Sequence, residues 1–296
     1  MKIAGIRRGS QYSPNHIGND AAIFDLTVKY LKAKSCEIIE YSEAEFWNAQ
    51  LDVDAIFNMV RDWRSIKKLQ ELENDGIKVI NSAYGIENCT REKMTRLLVS
   101  QQVPHPQSVI LSTKGADISE LEALNTSKFW IKRGDFHAIH REDVTFVGSL
   151  DEAESILNEY ALRGIPSAVV NAHLPGDLVK FYGVAGTDFF YWFYPNVASH
   201  SKFGLERING ESQGLPFDPS CLKEICTKAS KVLNVDIYGG DCVISEDGTI
   251  RIIDFNDWPS FAPCRQDAAP YIADAIYENV QQYKQVKAKQ YSFHNL

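Results

Sequence analysis

The sequence has no excess of positive charge. Its 31 lysines and arginines stand against 39 aspartates and glutamates, a formal net charge of −8. Broad nucleic-acid binding needs a basic face that displaces counterions, so the charge argues against that class, while a local cationic pocket for phosphates is not excluded. The six cysteines (Cys36, Cys89, Cys221, Cys226, Cys242 and Cys264) include no Cys-x-x-Cys pair, which argues against a zinc site or a disulfide framework. Free thiols suit a reducing compartment, so a cytoplasmic location is expected. No run approaches the roughly 18 apolar residues of a membrane span. The opening MKIAGIRRGS has no apolar segment of signal-peptide length. Low-complexity tracts, fixed-period repeats and Ser-His-Asp or Cys-His patterns for a nucleophile are also missing.

What is present is enough apolar sequence, in 296 residues, for a large core and for about two domains or one multi-lobed enzyme. MKIAGI begins as a buried strand and leads into a polar, turn-rich loop. Residues 21–33 show helical apolar spacing, with Asp20 as the expected N-cap. CEIIEY and DAIFNMV predict strands, SIKKLQELENDG a helix stopped at Gly76, and KVIN a fourth strand. Strands alternating with helices predict a parallel sheet. A helix over 92–102 precedes VPHPQSVIL, whose prolines end it and lead into a strand. From about residue 104 the texture changes. KFWIKRGD, DVTFVGS, SAVVNAHL, LVKFYGVA and DFFYWFY are strand-like runs, many joined by Gly-containing turns, with helices over 151–162, 219–233 and 270–287. The expected fold class is mixed α/β and α+β: a parallel N-terminal lobe, then two α+β lobes.

One hairpin carries chemistry. In GGDCVISEDGTIRIIDFND, the dipeptide Asp247-Gly248 predicts a two-residue turn. Counting back from that turn sets Asp241 opposite Asp254. It puts Asp241 and Val243 on one face with Ile252, Asp254 and Asn256. Two facing carboxylates repel, more so in an apolar setting. A divalent cation removes the conflict, and two carboxylates with an amide suit Mg²⁺ rather than zinc. A surface hairpin whose polar face is merely wet gives the same pattern, and a one-residue slip in register undoes it.

At these residues the chain resembles the ATP-grasp enzymes, over nearly its whole length. KVINSAYGIENCTREKMTRLLVSQQVPHPQSVIL is similar to the junction between the first and central lobes of that superfamily. The resemblance puts Lys93 at the first nucleotide lysine, with Glu92 where an aspartate is usual. FWIKRGD is similar to the strand bearing the second lysine, here Lys132, which contacts phosphate oxygens. AVVNAHLPGD is similar to the hinge that reads adenine through its backbone. That implies roles for Val170, Asn171, Ala172 and His173, with Asp177 near the ribose, although Asn-Ala-His stands where a glutamate is usual. Asp241, Asp254 and Asn256 match the ligands of one or two Mg²⁺ ions. The implied architecture has an N-terminal lobe over 1–92, a central lobe over 93–168 and a C-terminal lobe over 169–296, the last two sandwiching ATP.

Other residues stay open between roles. His137, with His140, follows Lys132 where the superfamily has a phosphate-covering loop. Phosphate or substrate contact, a structural role and a metal site are the alternatives. Lys180 resembles a lysine that inositol-trisphosphate kinases place near phosphate, but a lysine snorkelling from a strand end reads the same way. The aromatics of FYGVAGTDFFYWFYP read as core packing or as a substrate wall. Arg7, Arg8 and Arg61 follow predicted strands, where the crevice of an open α/β sheet lies, so each is either an anion-holding residue or a solvated arginine. Arg265 follows DWPSFAPC, in which Ser260 replaces a glycine usual in ligases. Lys180 and Arg265 are the candidate catalytic cations. The resemblance implies an ATP- and Mg²⁺-dependent carboxylate–amine ligase working through an acyl phosphate, with a small-molecule kinase acting on a hydroxyl as the alternative. It also implies a small, anionic acceptor and a homodimer, without nucleic acid or membrane partners.

Overall fold

The computed structural model describes residues 1–13, 17–137, 140–195, 208 and 210–294. Three four-stranded sheets organise it. The first comprises β1 (Lys2–Ile6), β2 (Glu37–Tyr41), β3 (Ala55–Asn58) and β4 (Lys78–Ile80), all parallel, in the order β2-β1-β3-β4. The burial of β1 and β3 on both faces matches a parallel sheet covered by helices. The covering helices are α1 (Ile17–Ala33), α2 (Glu43–Asn48), α3 (Trp63–Asn74) and α4 (Ala83–Asn88). Helix α1 begins at Ile17, before the expected Asp20 cap, and Asp20 in its first turn pairs with Arg8. Helices α2 and α4 are too short for a periodic signal and were not predicted.

The central sheet runs β5 (Ser108–Ser112), β8 (Ser167–Ala172), β6 (Phe129–Arg133), β7 (Val144–Val147), and α6 (Leu150–Leu162) packs on it. The C-terminal sheet runs β10 (Phe190–Phe193), β9 (Asp177–Val184), β11 (Ile237–Ile244), β12 (Ile250–Asp257). Its apolar face rests on α5 (Arg91–Ser100) and α7 (Pro219–Leu233) through Met94, Leu98, Leu222 and Cys226. The last helix, α8 (Arg265–His294), packs instead with the first sheet. Ile272 and Ile276 share a core with Ile3, Phe24 and Phe57, and Trp258 and Phe261 complete it. Residues beyond β12 therefore close the N-terminal lobe. Among the described residues, no helix is long and apolar enough to cross a membrane.

The β11–β12 hairpin departs from the expected geometry in two ways that cancel. The turn is one residue longer than expected: Ser245 N–H donates to Thr249 O (3.0 Å), leaving Glu246, Asp247 and Gly248 in the loop. Gly248 has φ +77°, the left-handed conformation that a three-residue hairpin turn asks of glycine. The register then shifts between Asp241 and Cys242, which bulges Ile253 out of the ladder. Asp241 consequently does face Asp254. The bulge also turns Ile252 into the core beside Cys242, away from the face it was expected to share with Asp254.

The N-terminal and C-terminal sheets are joined end to end by Asn81. Its Oδ1 accepts from the N–H groups of Asp236 (2.9 Å) and Ile237 (2.8 Å), and its Nδ2 donates to Ile237 O (2.7 Å). The side chain thus acts as a short strand that satisfies the start of β11, and it is buried. Asn81→Ala leaves the N–H groups of Asp236 and Ile237 without partners, while Ile237 O keeps the Trp258 N–H (2.8 Å). Chemical denaturation should show a loss of about 2–4 kcal/mol. A loss below about 0.5 kcal/mol, the size of an ordinary surface change, would contradict this role.

Candidate active site

The facing pair Asp241 and Asp254 is compensated from three directions. Lys180 lies directly across from Asp241 on β9, and its Nζ is 2.9 Å from Asp241 Oδ1. Arg91, the first residue of α5, grips Asp254 with two parallel bonds, Nη1 to Oδ1 at 2.6 Å and Nη2 to Oδ2 at 3.0 Å. Lys132, on β6, crosses from the central sheet and donates to Ile253 O at 2.8 Å. Gly240 permits the close strand approach next to Asp241, since a Cβ there would lie 2.1 Å from Asp254 O.

The electrostatics follow from burial. Burial alone would raise the Asp254 pKa, but Arg91, Lys132 and a hydrogen bond to Asn256 outweigh it and hold the carboxyl below its usual range. Lys132 is pushed down to about 7, first by burial and then by repulsion from Arg91, which Asp254 and Asp241 only partly offset. An ammonium so poorly solvated gains from any added anion nearby. The available donors are two carboxylates and the Asn256 amide, all oxygen, and they fit a hard cation that keeps other positions for water or phosphate. Among the described residues no group of three or more His, Cys, Asp or Glu is placed to hold a metal.

The bulge that sets this register is itself held by the central lobe. His105 Nδ1 lies 2.7 Å from Ile252 O, and Ile252 N–H donates to Pro104 O (2.9 Å). Together with Lys132 on Ile253 O, these contacts satisfy the backbone groups that leave the ladder.

The remaining residues singled out from the sequence are spread around this cluster. Lys93 is half-exposed and paired with Glu87 at 2.5 Å, on the same helix as Arg91 but away from Asp254. Val170, Asn171 and Ala172 lie in β8, between β5 and β6. The N–H groups of Ala172 and His173 already donate to Gln107 O and Lys128 O, and Asn171 Nδ2 donates to Ser108 Oγ (2.7 Å). Asp177 is buried and accepts from the N–H groups of Gln213 and Leu215. Arg265 donates to Asn19 Oδ1 (2.7 Å).

The three N-terminal arginines are engaged by protein groups. Arg7 bonds Asp25 (2.5 Å) and Glu40 (2.6 Å). Arg8 is buried and spans lobes, reaching Asp20, Met59 O and Trp258 O (2.8 Å). Arg61 pairs with Asp257 Oδ2 and also donates to Asp257 O (3.0 Å). His137 lies beside the same aspartate, its Nε2 3.6 Å from Asp257 Oδ1. The segment just after Asn256 is therefore clamped by two arginines of the first lobe. Trp258 (φ 33°) and Phe261 (φ 50°) in this segment are fully buried in left-handed conformations, a strain that the surrounding contacts must hold. Next to Arg8 a cavity of about 150 Å³ opens, lined by Gly9, Ser10, Ser13 and Asp20 among others.

Arg91 was not anticipated from the sequence, which drew attention to Lys93 two residues on. A signal existed: a cation on the first residue of a helix opposes the helix dipole and calls for an anion from elsewhere. His105 carried no motif at all.

His105 ties the site to stability. Burial first, and then Lys132, lower its pKa to about 4, against about 6.5 when unfolded. Between those values the unfolded chain binds the proton and the folded one does not, so stability falls as the pH drops from about 6.5 to 4. Denaturation series at several pH values should show that fall to be smaller in His105→Gln, by of order 2–3 kcal/mol across the window. Parallel curves for the two proteins would contradict it.

No protein-family model matches the chain, and no curated protein matches it significantly. Solved structures do. D-alanine–D-alanine ligase from Coxiella burnetii superposes with a TM-score of 0.71 at 13% identity, covering 100% of both chains. The Bacillus anthracis D-alanine–D-alanine ligase complexed with ATP gives 0.68 at 15%, covering 97% of this chain and 99% of that one. A RimK domain ATP-grasp protein from Sphaerobacter thermophilus gives 0.66 at 17%, covering 94% and 100%. At these identities the likeness is one of architecture, and the parallel sheet followed by two antiparallel sheets is the three-domain ATP-grasp fold.

Proposed function

We propose that the protein is an ATP- and Mg²⁺-dependent ligase that joins a carboxylate to an amine through an acyl phosphate. The observation that carries this reading is the buried cluster of Arg91, Lys132 and Lys180 around Asp241 and Asp254, set where the central and C-terminal sheets meet. A pocket in which three cations surround two carboxylates, with an amide oxygen alongside, suits a metal-bound polyphosphate better than any neutral ligand. Asp241, Asp254 and Asn256 would hold Mg²⁺, which when bound neutralises phosphate oxygens as the γ-phosphoryl group moves.

The chain's own residues do the rest by position and charge. Lys132 is held by the Ile253 carbonyl at a fixed place with little competing water, where it stabilises charge on the transferred group. Lys180 aligns Asp241 by its cross-strand pairing. On the acceptor side, the clamped segment 257–261 and the cavity beside Arg8 form the border with the first lobe. The first half-reaction moves the γ-phosphoryl of ATP to a substrate carboxylate, releasing ADP. An amine then attacks the acyl carbon, and inorganic phosphate leaves. The ligases among the solved structures of this fold favour that chemistry over hydroxyl phosphorylation. Lys180, which resembled a kinase residue in the sequence, is accounted for by Asp241.

The test is a screen for acceptor-dependent ADP formation, with amino acids and short peptides supplied as carboxylate and amine together and polyol phosphates supplied singly. ADP and phosphate should appear only when carboxylate and amine are both present. Asp254→Asn should lower that turnover by roughly 100-fold or more, because one ligand charge is lost while the fold is kept. Phosphate transferred to a single polyol, or full turnover by Asp254→Asn, would contradict the reading.

A further inference from the structure

We propose that Arg91 is a gate for the divalent cation. It holds both oxygens of Asp254 until a polyphosphate takes its guanidinium, so the cation enters with the nucleotide and not before it. This rests on the nucleotide reading above.

The geometry supplies the competition. A cation at Asp254 competes for the two oxygens that Arg91 occupies at 2.6 and 3.0 Å. Both side chains are largely buried, 9% exposed for Arg91 and 17% for Asp254, so their attraction is weakly screened. Charge counting makes the order specific. Arg91 and Lys180 already match the charge of the two carboxylates, and Lys132 stands beside them. A divalent cation added alone makes the pocket strongly positive at low dielectric. The same ion arriving with a triphosphate brings the pocket close to neutral.

The position of Arg91 adds a second reason. On the first residue of α5 its charge opposes the helix dipole, and Asp254 is the anion that stabilises it there. If metal withdraws Asp254, the guanidinium loses its bidentate partner while Lys132 stays close, and phosphate can take that partner's place. Its planar fork suits bidentate contact with phosphate oxygens as well as it suits a carboxylate.

Free Mn²⁺ measured by electron paramagnetic resonance tests this without turnover. Wild type, Arg91→Ala and Arg91→Gln are titrated with Mn²⁺ alone, and then with Mn²⁺ and a non-hydrolysable ATP analogue. Without nucleotide, both variants should bind Mn²⁺ about tenfold more tightly than wild type, because Asp254 is released. With the analogue the order should reverse, the variants binding the metal–nucleotide complex about tenfold more weakly. Equal Mn²⁺ affinities without nucleotide, or weaker binding by both variants, would overturn the gate while leaving the nucleotide reading intact, provided wild type binds the complex. A wild type that binds no metal–nucleotide complex would overturn both. Arg91→Gln removes the charge that holds Asp254 but keeps a polar side chain at the start of α5, so where Arg91→Ala fails to fold, equal or weaker Mn²⁺ binding by Arg91→Gln alone overturns the gate.

Discussion

Two carboxylates face each other across a mostly buried strand pair, and much of the molecule is arranged around making that tolerable. Asp241 and Asp254 repel across the hairpin, and neither is well enough solvated to relieve the repulsion with water. The compensating cations come from three separate elements: a neighbouring strand, the start of a helix and the central sheet. Each such contact fixes one element against the hairpin. The demand for charge balance therefore also sets how the central lobe sits on the C-terminal one. Under the function proposed above, a ligand carrying both metal and phosphate would replace one balanced set of charges with another.

The first lobe is attached by a different logic. Asn81 continues the backbone pattern of β11, while Arg8 and Arg61 seize the chain just beyond Asn256. That chain also holds two buried aromatics in left-handed conformations. Strain of this kind persists where neighbours over-determine it, and here those neighbours are guanidiniums bound to backbone and carboxylate. Glu43 completes the arrangement by accepting from the N–H groups of Gly9, Arg61 and Asp62, so the loops after β1 and β3 are tied to one buried carboxylate. The border of the first lobe is therefore tightly bonded near Asp257 and opens at the cavity beside Arg8.

Much of this was legible in the sequence, for identifiable reasons. Long periodic segments such as 219–233, and the alternation of strands and helices up to residue 80, report burial directly, and the three-lobed architecture follows from them. The pairing of Asp241 with Asp254 was also legible, but through two errors that cancelled. The turn was one residue longer than Asp-Gly suggests, and Ile253 bulges by one. Neither appears in a pattern of residue types, because a bulge is fixed by tertiary partners, here His105, Pro104 and Lys132. Arginines were the least legible. Arg8 and Arg61 follow strands as ligand-binding residues do, yet they bind the protein itself, while Arg91 carried no motif and sits on the central carboxylate. A sequence shows where charges lie along the chain, and only the fold decides which of them meet.

The most direct measurement of the central claim is a crystal structure with Mn²⁺ and a non-hydrolysable ATP analogue, read by the anomalous signal of the metal. The account predicts a peak within coordination distance of Asp241, Asp254 and Asn256, with phosphate oxygens on its far side and Arg91 turned from Asp254 onto phosphate. A metal peak elsewhere, or a nucleotide bound with Arg91 still holding both oxygens of Asp254, would contradict it.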